Sequence, residues 1–157
     1  MQHVLRISRK IDYGLRAMIY LASIDPSAIV PFREIARQMM VPEDFLAKIL
    51  KTLVDQGLVR SARGPHGGYA LARPAADVSF LEVIEAVEGP IAINVCLDGE
   101  DPCAKASACT MVGVWKRGQE KMLEVYREAK LADLRLEPDD KGQVGFVQLL
   151  GPQQQAR

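Results

Sequence analysis

Leu58-Val59-Arg60-Ser61-Ala62-Arg63-Gly64-Pro65-His66-Gly67-Gly68-Tyr69-Ala70-Leu71-Ala72-Arg73 holds two β-prone runs, Leu58 to Arg60 and Tyr69 to Arg73, around a glycine-rich turn. That arrangement predicts a hairpin with Arg63 at its tip. Directly upstream, Phe45, Leu46, Ile49, Leu50 and Leu53 recur on one helical face, and Gly57 offers a left-handed stop. One element earlier, Pro31 opens a short helix carrying Phe32, Ile35, Ala36 and Met39, and Val41-Pro42 separates it from the next. Two short helices joined by a tight turn form a helix-turn-helix. With the hairpin behind it, the predicted fold is a winged helix-turn-helix, mainly α with a small β wing.

Outward from this centre, Ile11, Leu15, Met18, Ile19 and Ala22 predict a first helix, capped by Ser8 and stopped before Pro26. On the other side, Ser79 to Glu82 reads as a capping box before Phe80, Leu81, Ile84 and Val87, so a fourth helix runs to Gly89-Pro90. An irregular loop follows from Ile91 to about Ser107. Beyond it, Val112, Trp115, Met122, Leu123, Tyr126 and Ala129 repeat at helical intervals and predict a long amphipathic helix. A small domain has little left for that stripe to cover, so a second copy of the chain is the economical partner; burial within one chain is the alternative. The expected divisions are a DNA-binding domain at 1–90, a cysteine loop at 91–107, a dimerisation helix at 108–137 and a solvated tail at 138–157, within which Val144 to Leu150 reads as a strand or docking segment.

The 157 residues are formally neutral, but the neutrality is uneven. Residues 1–73 hold 11 Lys plus Arg against 6 acids, and residues 74–157 hold 9 against 14. A basic first half is what a polyanion partner requires. In a winged helix on double-stranded operator DNA, the recognition helix would present Glu43, Asp44, Ala47, Lys48 and Lys51 to the major groove. The wing would offer Arg63, with Gly64, Pro65, His66 and Gly67 letting the backbone approach phosphates. Taken singly, Lys48 and Lys51 read equally well as a solvated helix face, and Gly64 to Gly68 as a tight turn. No leader or membrane-spanning run is evident, and a cytoplasmic chain is expected.

Cys96, Cys103 and Cys109 are confined to one acidic stretch. Gaps of six and five residues are wider than the hook usual for structural zinc, and an odd number argues against a disulfide framework. Three soft thiolates without a fourth suggest an iron-sulfur cluster with one unusual ligand.

The segment Val41 to Tyr69, above all Gly57-Leu58-Val59 and Arg63-Gly64-Pro65-His66-Gly67-Gly68-Tyr69, resembles the IscR/NsrR/RirA group of Rrf-type transcription regulators, over about Leu5 to Leu131. The resemblance implies a winged-helix homodimer with crossing carboxy-terminal helices and a cluster held by the cysteine loop beside the partner's DNA-binding domain. IscR-like members place a histidine three positions after the third cysteine, where this chain has Val112. Asp12, in Ile11-Asp12-Tyr13-Gly14-Leu15-Arg16, matches the place where some nitric-oxide-sensing members supply an aspartate from the opposite subunit. The ligand set so implied is Cys96, Cys103, Cys109 and Asp12, with [4Fe-4S] favoured over [2Fe-2S]. The implied function is a repressor sensing nitric oxide, redox state or iron. Asp12 as an ordinary first-turn acid, and His3 as a substitute ligand, are the alternatives. Three other readings stay open: a cluster-free thiol switch, zinc on the same ligands, and a cluster-bearing electron carrier or scaffold. No nucleophile constellation, phosphate loop or hydrolase motif points to an enzyme.

Overall fold

A computed structural model describes residues 7–99 and 103–146. Its first helix, α1 (Arg9–Ser23), starts at Ser8, whose hydroxyl oxygen accepts from the Ile11 N–H at 3.2 Å. Ile11, Leu15, Met18, Leu21 and Ala22 are buried along one face, so α1 is the post around which α2, α3 and α4 pack. Gly14 makes this possible on the α4 side, because a β-carbon there would lie 2.9 Å from a Val87 methyl group.

Helix α2 (Phe32–Met39) begins after Pro31, and α3 (Glu43–Asp55) begins after Pro42, a residue that suits a helix entrance because its missing N–H costs nothing there. The turn between them rests on Met40, whose φ of 54° is left-handed. Its N–H donates back to the last turn of α2, and the Val41 N–H donates to the Ala36 carbonyl at 2.9 Å. Leu46, Ile49, Leu50 and Leu53 are buried as the spacing predicts. Phe45 is not: it is 53% exposed and meets the Tyr13 ring edge-on at 5.9 Å. The four-residue stripe already fills the α1–α3 interface, and Phe45, one residue before Leu46, falls on its flank.

Gly57 (φ 71°) turns the chain into β1 (Val59–Ala62), paired antiparallel with β2 (Gly68–Leu71) from Val59↔Leu71 to Ala62↔Gly68. The hairpin forms as expected, with its boundaries one or two residues later at β1 and one or two earlier at β2 than the apolar runs imply. Val30 adds an isolated bridge outside this ladder, exchanging N–H···O bonds of 2.8 and 2.9 Å with Tyr69. Helix α4 (Phe80–Glu88) is capped by Ser79, which accepts from the Glu82 N–H at 3.1 Å. The reciprocal half of the expected capping box is absent because the Glu82 carboxylate pairs with Arg73 instead.

After α4 the chain makes single helical turns at Val95–Leu97 and Ala106–Ala108, then enters α5 (Val112–Glu128). This helix is shorter than the 108–137 span. From Ala129 the chain folds back: the Phe80 N–H donates to the Ala129 carbonyl, the Leu131 N–H donates to the Val78 carbonyl, and Leu131 is fully buried against α1 and the turn at Ala75–Asp77. Of residues 138–146, those up to Gln143 are mostly exposed, and only the last three approach the core. The segment turns at Asp139–Gln143 and lays the half-buried Val144 and Phe146 on the core. His3, Glu100, Asp101, Pro102 and residues 147–157 lie outside the described residues.

Candidate DNA interface and cysteine loop

The stripe that buries α3 leaves its opposite side free. Glu43, Asp44, Ala47, Lys48 and Lys51 are all exposed, and Lys51 pairs with Asp55 at 2.7 Å between well-solvated groups. A surface pair of this kind contributes little and yields readily to a phosphate. Acids at the first turn of such a helix suit the α-helix dipole, and on a base edge a carboxylate accepts from the cytosine amino group.

Behind α3, the turn from Arg63 to Gly67 stands free at the hairpin end, with Arg63, Gly64, Pro65 and His66 exposed. Gly64 has φ 105°, a conformation that favours glycine, and its carbonyl accepts the Gly67 N–H at 2.9 Å. Arg63 makes no ion pair among the described residues. The predicted wing residues are therefore together on one loop, and α3 packs against the strand that carries it.

The cysteine loop is different in kind. Cys96, Cys103 and Cys109 are all half-buried and none is in a disulfide. Cys96 lies in one single-turn helix, Cys103 before the second, and Cys109 just after it, three residues ahead of α5. Among the described residues no three His, Cys, Asp or Glu side chains converge as metal ligands. The donor chemistry suits an iron-sulfur cluster, but the single chain does not preassemble the ligand set. Nor does Asp12 join the cysteines: its carboxylate pairs with Arg16 at 2.7 Å. The Arg16 guanidinium also lies over the Tyr13 and Phe146 rings at 5.7 and 5.5 Å.

Two contacts that hold the loop's entrance carried no sequence signal. The Ile93 N–H donates to Gln119 Oε1 of α5 at 2.9 Å, and the Ser8 hydroxyl donates to Glu88 Oε2 at 2.8 Å, joining the start of α1 to the end of α4. Phe45 was also missed as a surface group, since apolar residues at helical spacing read as core.

Along α5 no residue is buried. Val114 is 68% exposed, Val125 61%, and Met111 and Trp115 are open as well. An open groove of about 780 Å³ runs between this helix, Ile7 and Ile11 of the chain start, and Ile91 and Ile93 after α4. No helix among the described residues is long and apolar enough to cross a membrane.

The model of the Rrf2 family, described as iron-dependent transcriptional regulators, matches residues 7–136. The chain belongs to the Rrf2 family. It is similar to the Mycobacterium tuberculosis protein Rv1287, 34% identical over 83% of this chain and 81% of that one. CymR of Bacillus subtilis is 31% identical over 83% of this chain and 89% of its own. The solved structure of CymR, the global cysteine regulator of B. subtilis, superposes with a TM-score of 0.68 and covers 83% of this chain and 95% of that one, at 30% identity. IscR of T. potens gives 0.67 at 29% identity, covering 83% and 85%. As an Rrf2-family protein the chain is a transcriptional regulator and not an enzyme, and its winged helix is the family's fold.

Proposed function

We propose that this Rrf2 regulator binds operator DNA as a homodimer, reads it with α3 and the wing, and changes its affinity in response to the state of the cysteine loop. The observation that carries the reading is the solvated face of α3 followed directly by a free arginine-bearing wing. Glu43, Asp44, Ala47, Lys48 and Lys51 meet base edges and phosphates of the major groove. Arg63 enters the neighbouring groove, and Gly64, Pro65, His66 and Gly67 bring the backbone to the phosphates. The unburied apolar residues of α5 support a second copy as the occupant of its open face, which would set two recognition helices at one spacing on a near-palindromic site.

Cys96, Cys103 and Cys109, with Asp12 of the opposite subunit, are the residues that would hold an iron-sulfur cluster, [4Fe-4S] ahead of [2Fe-2S]. Bound there, it would supply an iron centre with a weakly held carboxylate ligand, open to nitric oxide or oxygen. The chain's own residues convey the change. Asp12 sits on the same helix turn as Tyr13, whose ring meets Phe45 of α3. Releasing Asp12 from Arg16 frees a guanidinium that touches the Tyr13 and Phe146 rings, so the exposed face of α1 reaches the recognition helix within two contacts.

A second reading, a thiol switch without metal, is favoured by the three unpaired, half-buried cysteines and by the likeness to CymR, known as a cysteine regulator. Anaerobic purification separates the two. The expected result is a brown protein with bound iron and sulfide, bleached by nitric oxide as operator affinity changes, and a Cys103→Ala variant that is colourless yet still a folded dimer. A colourless wild type that resists reconstitution and still shifts operator DNA would pass the function to the thiols.

A further inference from the structure

A second cavity, of about 430 Å³, lies away from the cysteine loop, between the end of α1, the loop before α2 and the base of the wing. Its size is near the lower end of the roughly 300–1,000 Å³ typical of small-molecule sites. The wall is apolar, built from Leu21, Ala22, Val30 and Ala70 among others, and these four side chains are already buried in the fold. Three arginines edge it: Arg60 from β1, Arg73 after β2 and Arg135 from the segment that returns after α5.

The charge around this cavity is unbalanced. Arg73 is neutralised by Glu82. Asp25, the one carboxylate of the lining, is occupied by the Ser27 N–H and hydroxyl at 2.7 and 2.6 Å, which hold its carboxyl below its usual pKa. Arg60 has only a long 3.5 Å contact to the Pro26 carbonyl, and Arg135 pairs with no carboxylate among the described residues. With Arg73 paired to Glu82, the lining still carries two guanidinium groups against the single Asp25 carboxylate, a net positive charge beside an apolar wall that is complementary to a small carboxylate with an apolar body. The body replaces water against the alkyl wall, and the head accepts charge-assisted hydrogen bonds from the arginines.

We propose that this cavity is an effector site for a small amphipathic carboxylate. Arg60 stands on β1, whose strand leads to the wing loop, and Arg135 follows the return from α5. An occupant held by both ties the wing to the carboxy-terminal segment and so bears on how the wing is presented to DNA. The effector role rests on the DNA-binding reading above, whereas occupancy of the pocket does not.

The test uses the full chain and hexanoate as the probe, with acetate and hexan-1-ol as controls lacking the body or the charge. Calorimetric titration is expected to show one saturable site per chain for hexanoate, and much weaker binding of both controls. Arg60→Gln and Arg135→Gln should each weaken hexanoate about tenfold or more, the loss expected for a hydrogen bond to a charged group. Since both side chains are exposed, the variants should melt like the wild type, and Ala28→Leu, which adds bulk to the cavity lining, gives an independent block. In gel shifts, saturating hexanoate should change wild-type operator affinity about fivefold or more, the lower end of ordinary allosteric coupling. No saturable binding of hexanoate, or equal affinity in both arginine variants, overturns the site. Weaker operator binding by those variants without hexanoate also overturns it, assigning the guanidinium groups to phosphates. Hexanoate binding with unchanged operator affinity removes the effector role. Failure of the wild type to bind any operator would instead strike the DNA reading, with the calorimetry still deciding the pocket.

Discussion

A methyl group on Gly68 would sit 2.1 Å from the Val30 carbonyl oxygen and 2.5 Å from its carbon. Both are backbone atoms already committed to the bridge with Tyr69, so neither can swing away as a side chain would. Gly68→Ala is therefore expected to cost about 1–3 kcal/mol, the range for overpacking a close-fitted site, read as a lower urea midpoint. An unchanged midpoint would mean that Val30 does not pair with β2. Tyr20 is a second residue whose role is set by its surroundings. Its buried ring sends the hydroxyl to Glu34 Oε1 at 2.9 Å, and burial, then the Glu34 hydrogen bond and charge, push its pKa far above the usual tyrosine value. A raised pKa favours the neutral phenol in the folded state. That contribution is complete below the unfolded pKa of about 10 and declines as pH rises beyond it. Wild-type stability should thus fall more steeply above about pH 10 than that of Tyr20→Phe in urea melts, and parallel curves would remove the raised phenol pKa from the account.

At the level of elements, the proposed function divides the work of recognition between α3 and the hairpin. The exposed face of α3 carries both acids and lysines, which on the proposed reading would discriminate among bases, while the wing offers a guanidinium on a glycine-rich loop. Arg63→Ala is expected to weaken operator binding by about 1–3 kcal/mol if the guanidinium reads a base edge or groove width, with melting unchanged because the residue is exposed. Operator affinity equal to wild type across a salt series would exclude the wing from the interface. Both elements were legible in the chain because their limits are written in local chemistry: Pro42 opens α3, Gly57 closes it, and Gly64 permits the turn. Phe45 was not legible. A phenylalanine beside a leucine stripe carries the same periodic signal whether it faces the core or the solvent, and the choice was made by Tyr13 on another helix.

For the molecule as a whole, α5 is the unfinished part. Val114 and Val125 lie eleven residues apart, three helical turns, on a helix with no buried side chain, so they mark one open stripe. If the proposed homodimer packs through this stripe, Val114→Glu and Val125→Glu should each make the chain monomeric in sedimentation while leaving the winged helix folded; a dimer that persists in both variants would place the interface elsewhere. What the amino-acid order determined by itself was local: the capped starts of α1 and α4, the helix-turn-helix, the glycine turn, the amphipathic α5 and three thiols on one loop. These depend on neighbours within a turn or two of the chain, where propensity and periodicity act. The tertiary structure alone decided which distant segments meet. It set Val30 beside Tyr69, returned Leu131 to the core past α4, turned Glu82 to Arg73, and left the cysteines of one chain unconverged. Such pairings join residues that are far apart in the chain or belong to separate elements, and only competition for buried volume and for charge and hydrogen-bond partners selects among them.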